Sequence, residues 1–320
     1  MSNDIFVLVE HRDGAVAESA YELLGRAREL APASGGVVVA LVPGAASSSL
    51  AAQLGAAARV IAVEDASLAE FTPAAWQAAL AALVAERQPL LLLVPNSSSG
   101  MDVAAGLSAA TGLPLAAYAV DVAIAGGSPT VTCQLYAGKI NVRVRFDGGR
   151  GIATVVAGAF PAAAGQAAGS PAVERVAPAA ADARIRFRRL IRPEAGGVDI
   201  TKESILVSIG RGIGEADNVE LAERLAAALG GAVSSSRPVA DAGWLPRTRQ
   251  VGKSGLRVKP KLYLALGISG APEHLEGMRD AELIVAVNTD AHAPIFGVAH
   301  YGAVADILEV MPALTQRLGG

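Results

Sequence analysis

Short polar stretches in the last third of the chain carry the side chains best suited to hold a charged ligand. Gly210-Arg211-Gly212-Ile213-Gly214 follows the apolar run Ile205 to Ile209 and precedes a helical pattern that begins near Asn218. Glycines at a strand-to-helix turn let a ligand approach the backbone, and a helix N-terminus favours phosphate. The spacing departs from the full Gly-x-Gly-x-x-Gly fingerprint, so an ordinary glycine turn competes with nucleotide contact. Ser234-Ser235-Ser236-Arg237 follows Ala232-Val233 and offers hydroxyls and a guanidinium where open α/β sheets bind ligands. The competing reading there is a helix N-cap beside a solvated arginine.

Further along, Gln250-Val251-Gly252-Lys253-Ser254-Gly255 sets glycines around an ammonium and a hydroxyl. It is not a Walker A loop, because the upstream glycine of that motif is missing. Gly267-Ile268-Ser269-Gly270-Ala271-Pro272-Glu273-His274 closes the apolar run Leu262 to Leu266 and feeds a helix. Backbone N–H groups, Ser269 and His274 then share the carboxyl edge of a sheet. Leu283 to Val287 ends in Asn288-Thr289-Asp290, and a final helical pattern carries Asp306. Short polar side chains at such points read an adenine or a ribose, or else form turns and caps. Glycine-hydroxyl turns at successive strand ends predict one shared ligand.

Those turns need sheets to bring them together. The chain has 320 residues, enough for two domains of roughly 100 to 200 residues each. Hydrophobic residues make up 52% and charged residues 18%, and the abundance of small aliphatics suits helices packed closely on sheets. With a net charge of -3 and no run of Lys or Arg, the chain lacks the footprint of a nucleic-acid binder. Cys133 is the only cysteine, which excludes an internal disulfide and a multi-cysteine metal site and fits a cytoplasmic compartment. No stretch of roughly 18 apolar residues occurs, so direct membrane insertion is not expected. The opening Met1-Ser2-Asn3-Asp4 has neither the basic nor the apolar region of a secretory signal and reads as a mature start.

The first part alternates near-continuous apolar runs, Ile5 to Val9, Val37 to Val42, Val60 to Val63 and Leu90 to Val94, with helical stripes. The stripes lie at 20–30, 50–57, 76–84 and 100–111. This alternation predicts an open, mostly parallel α/β sheet covered on both faces. Tyr118 to Ile124, Val131 to Tyr136, Ile140 to Phe146 and Ile152 to Val156 are expected to extend it as antiparallel edge strands. Ala157 to Ala183, rich in Ala, Gly and Pro, reads as a surface excursion or linker, followed by a basic strand-like stretch, Ile185 to Ile191. The expected boundary gives an N-terminal domain over 1–192 and a C-terminal domain over 193–320. In the latter, strand and helix patterns restart in doubly wound fashion and end in a helix from Val304 to Leu318 interrupted at Pro312.

Taken in order, the motifs around Gly210, Ser236-Arg237 with Asp241-Ala242-Gly243, Val251 to Gly255, Gly267 to His274 and Val285 to Asn288 resemble the alpha subunit of electron transfer flavoprotein. Ala293-Pro294-Ile295-Phe296 and Tyr301-Gly302-Ala303-Val304-Ala305-Asp306 extend the likeness over most of the last domain. The N-terminal part resembles the family more loosely, through its opening Val-Leu-Val-Glu-His strand and the Tyr136-Ala137-Gly138-Lys139 turn.

The resemblance implies an FAD held mainly by the C-terminal domain, in a heterodimer with an electron transfer flavoprotein beta subunit. It implies an electron carrier rather than a substrate-transforming enzyme. Flavin dehydrogenases of the acyl-CoA or N-methyl-amine type would be the donors, and a membrane quinone oxidoreductase the acceptor. Carried over, Arg237 lies against the isoalloxazine ring, where its charge favours the negatively charged, singly reduced form. Ser254 bonds flavin N5 and His274 approaches O2. Arg211, Ser236 and the Ser269-Gly270-Ala271 turn hold the ribityl and phosphate part. Val251, Gly252, Pro272 and Glu273 line the same site, with Asn288, Asp306 and Ile307 at the adenosine end. Many family members carry Gln-Thr where this chain has Lys253-Ser254, so a serine hydroxyl is kept for N5, while the added lysine either raises the flavin potential or points to solvent. The Pro193 to Gly197 junction is the expected hinge of a swivelling flavin domain.

An electron-bifurcating relative, a nucleotide-dependent oxidoreductase or hydrolase on the same fold, and a nucleotide-binding sensor are the other readings. For an enzyme the sequence offers no paired carboxylates, metal-ligand cluster or Ser-His-Asp spacing, and His11, His292 and His300 read as surface or structural residues.

Overall fold

The computed structural model describes residues 2–136, 138–179, 185, 187–190 and 197–319. The chain packs as two units, Met1–Arg189 and Leu190–Gly320. The expected boundary at 192/193, the hinge over 193–196, the end of the excursion at 180–183 and Ala137 of the Tyr136 turn lie outside the described residues. The described part of the stretch from Ile185 to Ile191 forms no strand.

The first unit runs β1 (Ile5–Leu8), a hairpin of β2 (His11–Arg12) and β3 (Ala15–Val16), α1 (Glu18–Ser34), β4 (Val38–Gly44), β5 (Arg59–Glu64), α2 (Pro73–Arg87), β6 (Leu91–Pro95) and α3 (Ser98–Thr111). It continues through β7 (Leu115–Ala125), β8 (Ser128–Leu135), β9 (Ile140–Arg145), β10 (Gly151–Val155) and β11 (Ala172–Val176). The main sheet has the order β11-β5-β4-β1-β6-β10-β7-β8-β9. Alternation along β1 explains its all-apolar sequence. Ile5 and Val7 meet Leu23, Leu24 and Ala27 of α1, while Phe6 and Leu8 meet Trp76 and Leu80 of α2 and Val103 and Leu107 of α3.

Three sequence expectations are corrected here. First, β10 is not an antiparallel edge strand: it lies inside the sheet, parallel to both β6 and β7. Nor is β7 an edge strand: it too lies inside the sheet, parallel to β10, and antiparallel pairing begins only between β7 and β8 and continues between β8 and β9. The run Gly151–Val155 is buried throughout, which is the signature of a strand covered on both faces.

Second, the stripe at 50–57 forms a 3-10 helix, Ser47–Gln53, and no α-helix. Gly55 just beyond it presses on the backbone of Ala167 and Gly169, which requires an irregular chain path. Third, the Ala/Gly/Pro-rich segment is not a free excursion. Its Ala162–Gly165 turn packs on α1, where a Cβ on Gly165 would stand 1.9 Å from the Tyr21 carbonyl oxygen. Its β11 then adds a parallel strand beside β5. The small residues allow backbone to lie on backbone, so the composition that reads as linker is a packing device.

The second unit runs β12 (Ile205–Ile209), α4 (Val219–Leu229), β13 (Ala232–Ser235), α5 (Arg237–Asp241), β14 (Leu262–Leu266), α6 (Pro272–Leu275), β15 (Leu283–Asn288), β16 (Tyr301–Val304) and α7 (Ile307–Arg317). Its sheet is parallel throughout in the order β13-β12-β14-β15-β16. Val207, Ile209, Leu264 and Leu266 pack on α4 and α7, and Leu206, Tyr263 and Ala265 face Val251, Met278 and Ile295. The expected break at Pro312 is absent. Val304 ends β16, and α7 starts after Asp306 and passes through Pro312. Pro312 forgoes its own N–H bond, while Ile307 and Met311 bury the helix face in the core.

Candidate cofactor-binding site

Strand addition in the second sheet reverses between β12 and β14, and in open parallel sheets the ligand crevice lies at the carboxyl ends of such strands. Two glycine turns meet there. Gly210 N donates to Leu266 O at 2.8 Å and Gly212 N donates to Gly267 O at 3.1 Å. A Cβ on Gly210 would stand 2.2 Å from Gly267 O, and one on Gly212 would stand 2.7 Å from Gly267 Cα. Arg211 projects from this turn and is exposed. The turn does not run straight into a helix N-terminus. Two 3-10 segments, Arg211–Ile213 and Ala216–Asn218, intervene before α4.

The other motifs are tied to the same edge. Ser236 stands at the N-cap of α5, and its N–H donates to Ile209 O at 3.0 Å. Arg237 is exposed, with Nε donating to Asp241 Oδ2 at 3.1 Å. Val251 N donates to Ser235 O at 2.8 Å, and Lys253 N donates to Glu273 O at 2.7 Å. The 250–255 loop is thus pinned between β13 and α6. Gly252, at φ 131, is what allows the close pass beside Glu273. Ser254 Oγ accepts from Gln250 Nε2 at 2.9 Å.

On the far side, Ser269 O accepts from Ile295 N at 3.0 Å, and Gly270 leaves room for the Ile295 backbone. Ala271 precedes α6, where Pro272 takes the first turn and Glu273 is exposed. Asn288 and Asp306 spend polar side-chain atoms locally. Asn288 Nδ2 donates to Ile268 O at 2.9 Å, and Asp306 Oδ1 caps α7 by accepting from Leu308 N at 2.8 Å. Ile307 fills the space behind Gly267.

Beneath the edge His274 and Ser234 belong to a polar cluster whose other members, Tyr263 and Ser208, sequence reading missed. His274 is only 6% exposed, and its Nε2 is 2.9 Å from the Tyr263 hydroxyl, which donates to Ser208 Oγ at 2.7 Å. Burial pushes the His274 pKa down to about 4, partly offset by the Val251 backbone, so the ring is neutral at pH 7. Burial also pushes the Tyr263 hydroxyl up, so it stays protonated. The available signal was serine at 208 and 234 inside otherwise apolar parallel strands.

The remaining histidines are structural or exposed. His11 Nε2 lies 2.8 Å from Pro43 O, His300 Nδ1 accepts from Ile284 N at 2.9 Å, and His292 is exposed. Among the described residues no group of His, Cys, Asp or Glu is arranged to hold a metal. In the first sheet the corresponding switch lies between β1 and β6. There Ser97 Oγ donates to the half-buried Glu10 carboxylate and accepts from Gly100 N, so the α3 N-terminus is capped by the chain itself. Burial raises the Glu10 pKa.

A family profile described as electron transfer flavoprotein domain matches residues 5–181, and one described as electron transfer flavoprotein FAD-binding domain matches residues 199–279. The chain belongs to the electron transfer flavoprotein alpha-subunit family. It is 35% identical over 315 residues to electron transfer flavoprotein subunit alpha of Syntrophomonas wolfei, covering 98% of each chain. It is 36% identical over 319 residues to the subunit alpha of Methylophilus methylotrophus, again covering 98% of each. Protein FixB of Clostridium saccharobutylicum is 34% identical over 320 residues, covering 98% of this chain and 95% of that one. The FAD-binding match takes in the glycine turns, Ser236-Arg237, the 250–255 loop and His274.

FAD is the cofactor of this family member, and the residues present fit it. Glycines at the switch point let the Gly210 and Gly267 turns lie backbone against backbone, which gathers their main-chain groups at the carboxyl edge of the sheet. Ser234 Oγ, Ser235 Oγ and His274 Nδ1 are buried without hydrogen-bond partners. Arg211, Arg237 and Lys253 supply exposed positive charge to an anionic dinucleotide.

Proposed function

We propose that this chain is the alpha half of a two-chain electron carrier, paired with an electron transfer flavoprotein beta subunit. It accepts single electrons from flavin dehydrogenases of the acyl-CoA or N-methyl-amine type and delivers them to a membrane quinone oxidoreductase. Bound FAD supplies the one-electron chemistry. The observation that best supports the reading is the meeting of the Gly210 and Gly267 turns at the strand switch, inside the FAD-binding match.

The chain's own residues orient and charge the site. Arg211, Ser236 and the Ser269 to Ala271 backbone hold the ribityl and phosphate end. Arg237 offers a fixed cation to the ring, and Ser254, already oriented by Gln250, offers a hydroxyl to N5. His274 stays uncharged and serves as a polar contact rather than a second cation. Val251 and Gly252 form the wall beside it, Pro272 and Glu273 the rim, and Asn288, Asp306 and Ile307 the adenosine side. No helix among the described residues is long and apolar enough to cross a membrane.

Co-expression with a beta chain from a neighbouring reading frame tests the assignment. The complex should be yellow, release one FAD on denaturation and take up electrons singly during stepwise reduction by a dehydrogenase. A colourless complex would sink the reading, and two flavins per heterodimer would replace it with an electron-bifurcating one.

A further inference from the structure

Ser208, Ser234, Tyr263 and His274 meet within one apolar layer of the second unit. Strand alternation puts Ser208 on the side of Leu206, Ser234 on that of Ala232 and Tyr263 on that of Ala265, a side packed by Val251, Met278 and Ile295. Ser208 stands directly opposite Ser234 in the ladder. Stability alone asks for none of these polar groups. Phenylalanine at 263 and leucine at 274 would fill similar volume without desolvating a polar atom. An unsatisfied buried polar group costs about 1–3 kcal/mol, and neither Ser234 Oγ nor His274 Nδ1 has a well-formed hydrogen bond, with Tyr263 and the Val251 backbone as their nearest polar neighbours.

The helix that carries His274 has 4 residues and cannot hold an imidazole in place by itself. The ring is instead fixed from below. Tyr263 is wholly buried on β14, its hydroxyl is anchored on Ser208 at 2.7 Å, and the same oxygen meets His274 Nε2 at 2.9 Å. The two rings are 6.1 Å apart and tilted by 54°, so edge contact adds to the hydrogen bond.

We propose that Tyr263 is a positioning residue of the flavin site: its hydroxyl, which donates to Ser208, accepts from Nε2 of His274 and so fixes the imidazole in the wall of the cofactor site. The inference rests on the FAD reading of this site. It makes the flavin-facing group depend on two residues that do not touch the flavin, both placed on strands rather than on loops.

The test uses the two-chain complex carrying Tyr263→Phe or, as a milder change, Ser208→Ala. In flavin-free wild type, nitrogen NMR of labelled histidine should show His274 as one neutral species with a hydrogen-bonded Nε2. Tyr263→Phe should shift or broaden that signal, weaken FAD binding about tenfold and move the potential for the first electron. Ser208→Ala should do the same to a smaller extent. Unchanged His274 signals and FAD affinity in both variants would overturn the proposal, as would a lower melting temperature with neither of those changes. If the wild-type complex binds no FAD, the flavin reading fails, while the NMR comparison still decides whether Tyr263 holds His274.

Discussion

Gly210 and Gly267 lie so close that a Cβ on the first would stand 2.2 Å from the carbonyl oxygen of the second. The contact joins the ends of β12 and β14, the strands between which the sheet reverses, and brings two ligand turns within one hydrogen bond of each other. Each turn alone is an ordinary glycine turn. Their apposition makes a backbone-lined crevice of the kind that admits a pyrophosphate.

Gly210→Ala should therefore damage the site for steric reasons, since Gly210 has φ -106, which alanine adopts freely. We expect a loss of about 2–4 kcal/mol in stability and of most FAD binding, because backbone on both sides must move. Gly230→Ala is the control. Gly230 has φ 68 and open space around its Cβ position, so it should cost about 1 kcal/mol and leave FAD binding intact. Denaturant melts and flavin titration of the two variants compare them, and equal effects would remove the argument from apposition.

His274 gives the fold an acid sensitivity. Its folded pKa of about 4 lies below the ordinary 6.5, so the unfolded chain binds a proton in that window that the folded chain does not. Stability is full above the upper value and falls as pH drops through the window, by up to about 3 kcal/mol. Denaturant midpoints at about pH 7 and about pH 4.5 measure the loss, and His274→Gln should remove most of it. An equal loss in the variant would place the sensitivity elsewhere.

Strands buried on both faces were the most legible part of the sequence, because runs such as Ile205–Ile209 are short, rich in β-branched residues and closed by glycine turns. Position along the sheet was not legible. Nothing local to Gly151–Val155 says that it inserts between β6 and β7, since that pairing joins residues far apart in sequence. Small residues misled, with the segment around Gly165 reading as linker while serving as packing. At the site, turn residues announced themselves by type, but Tyr263 and Ser208 did not. Their role lies in a contact across 55 residues of chain.

Arg237→Ala tests the charge assigned to the flavin ring. The pair with Asp241 is a surface i,i+4 contact, and its loss should change stability by less than about 0.5 kcal/mol. Stepwise reduction should nevertheless show less of the one-electron-reduced flavin, since that form carries the negative charge a nearby cation favours. An unchanged yield would take Arg237 out of the site.

Lys253 is clamped at its backbone by the 2.7 Å bond to Glu273 O. The clamp fixes where this exposed side chain starts. A cation there stabilises added negative charge, so Lys253→Gln should lower the first-electron potential, on the order of 50 mV for a partly screened charge. The difference between the two proteins should shrink in concentrated salt, which screens exposed charges and leaves short hydrogen bonds in place. Spectroelectrochemical titration at low and high ionic strength reads both effects. A potential that is the same in both proteins at low salt would mean that Lys253 faces solvent and that Ser254, held by Gln250, is the part of the pair that acts on the flavin.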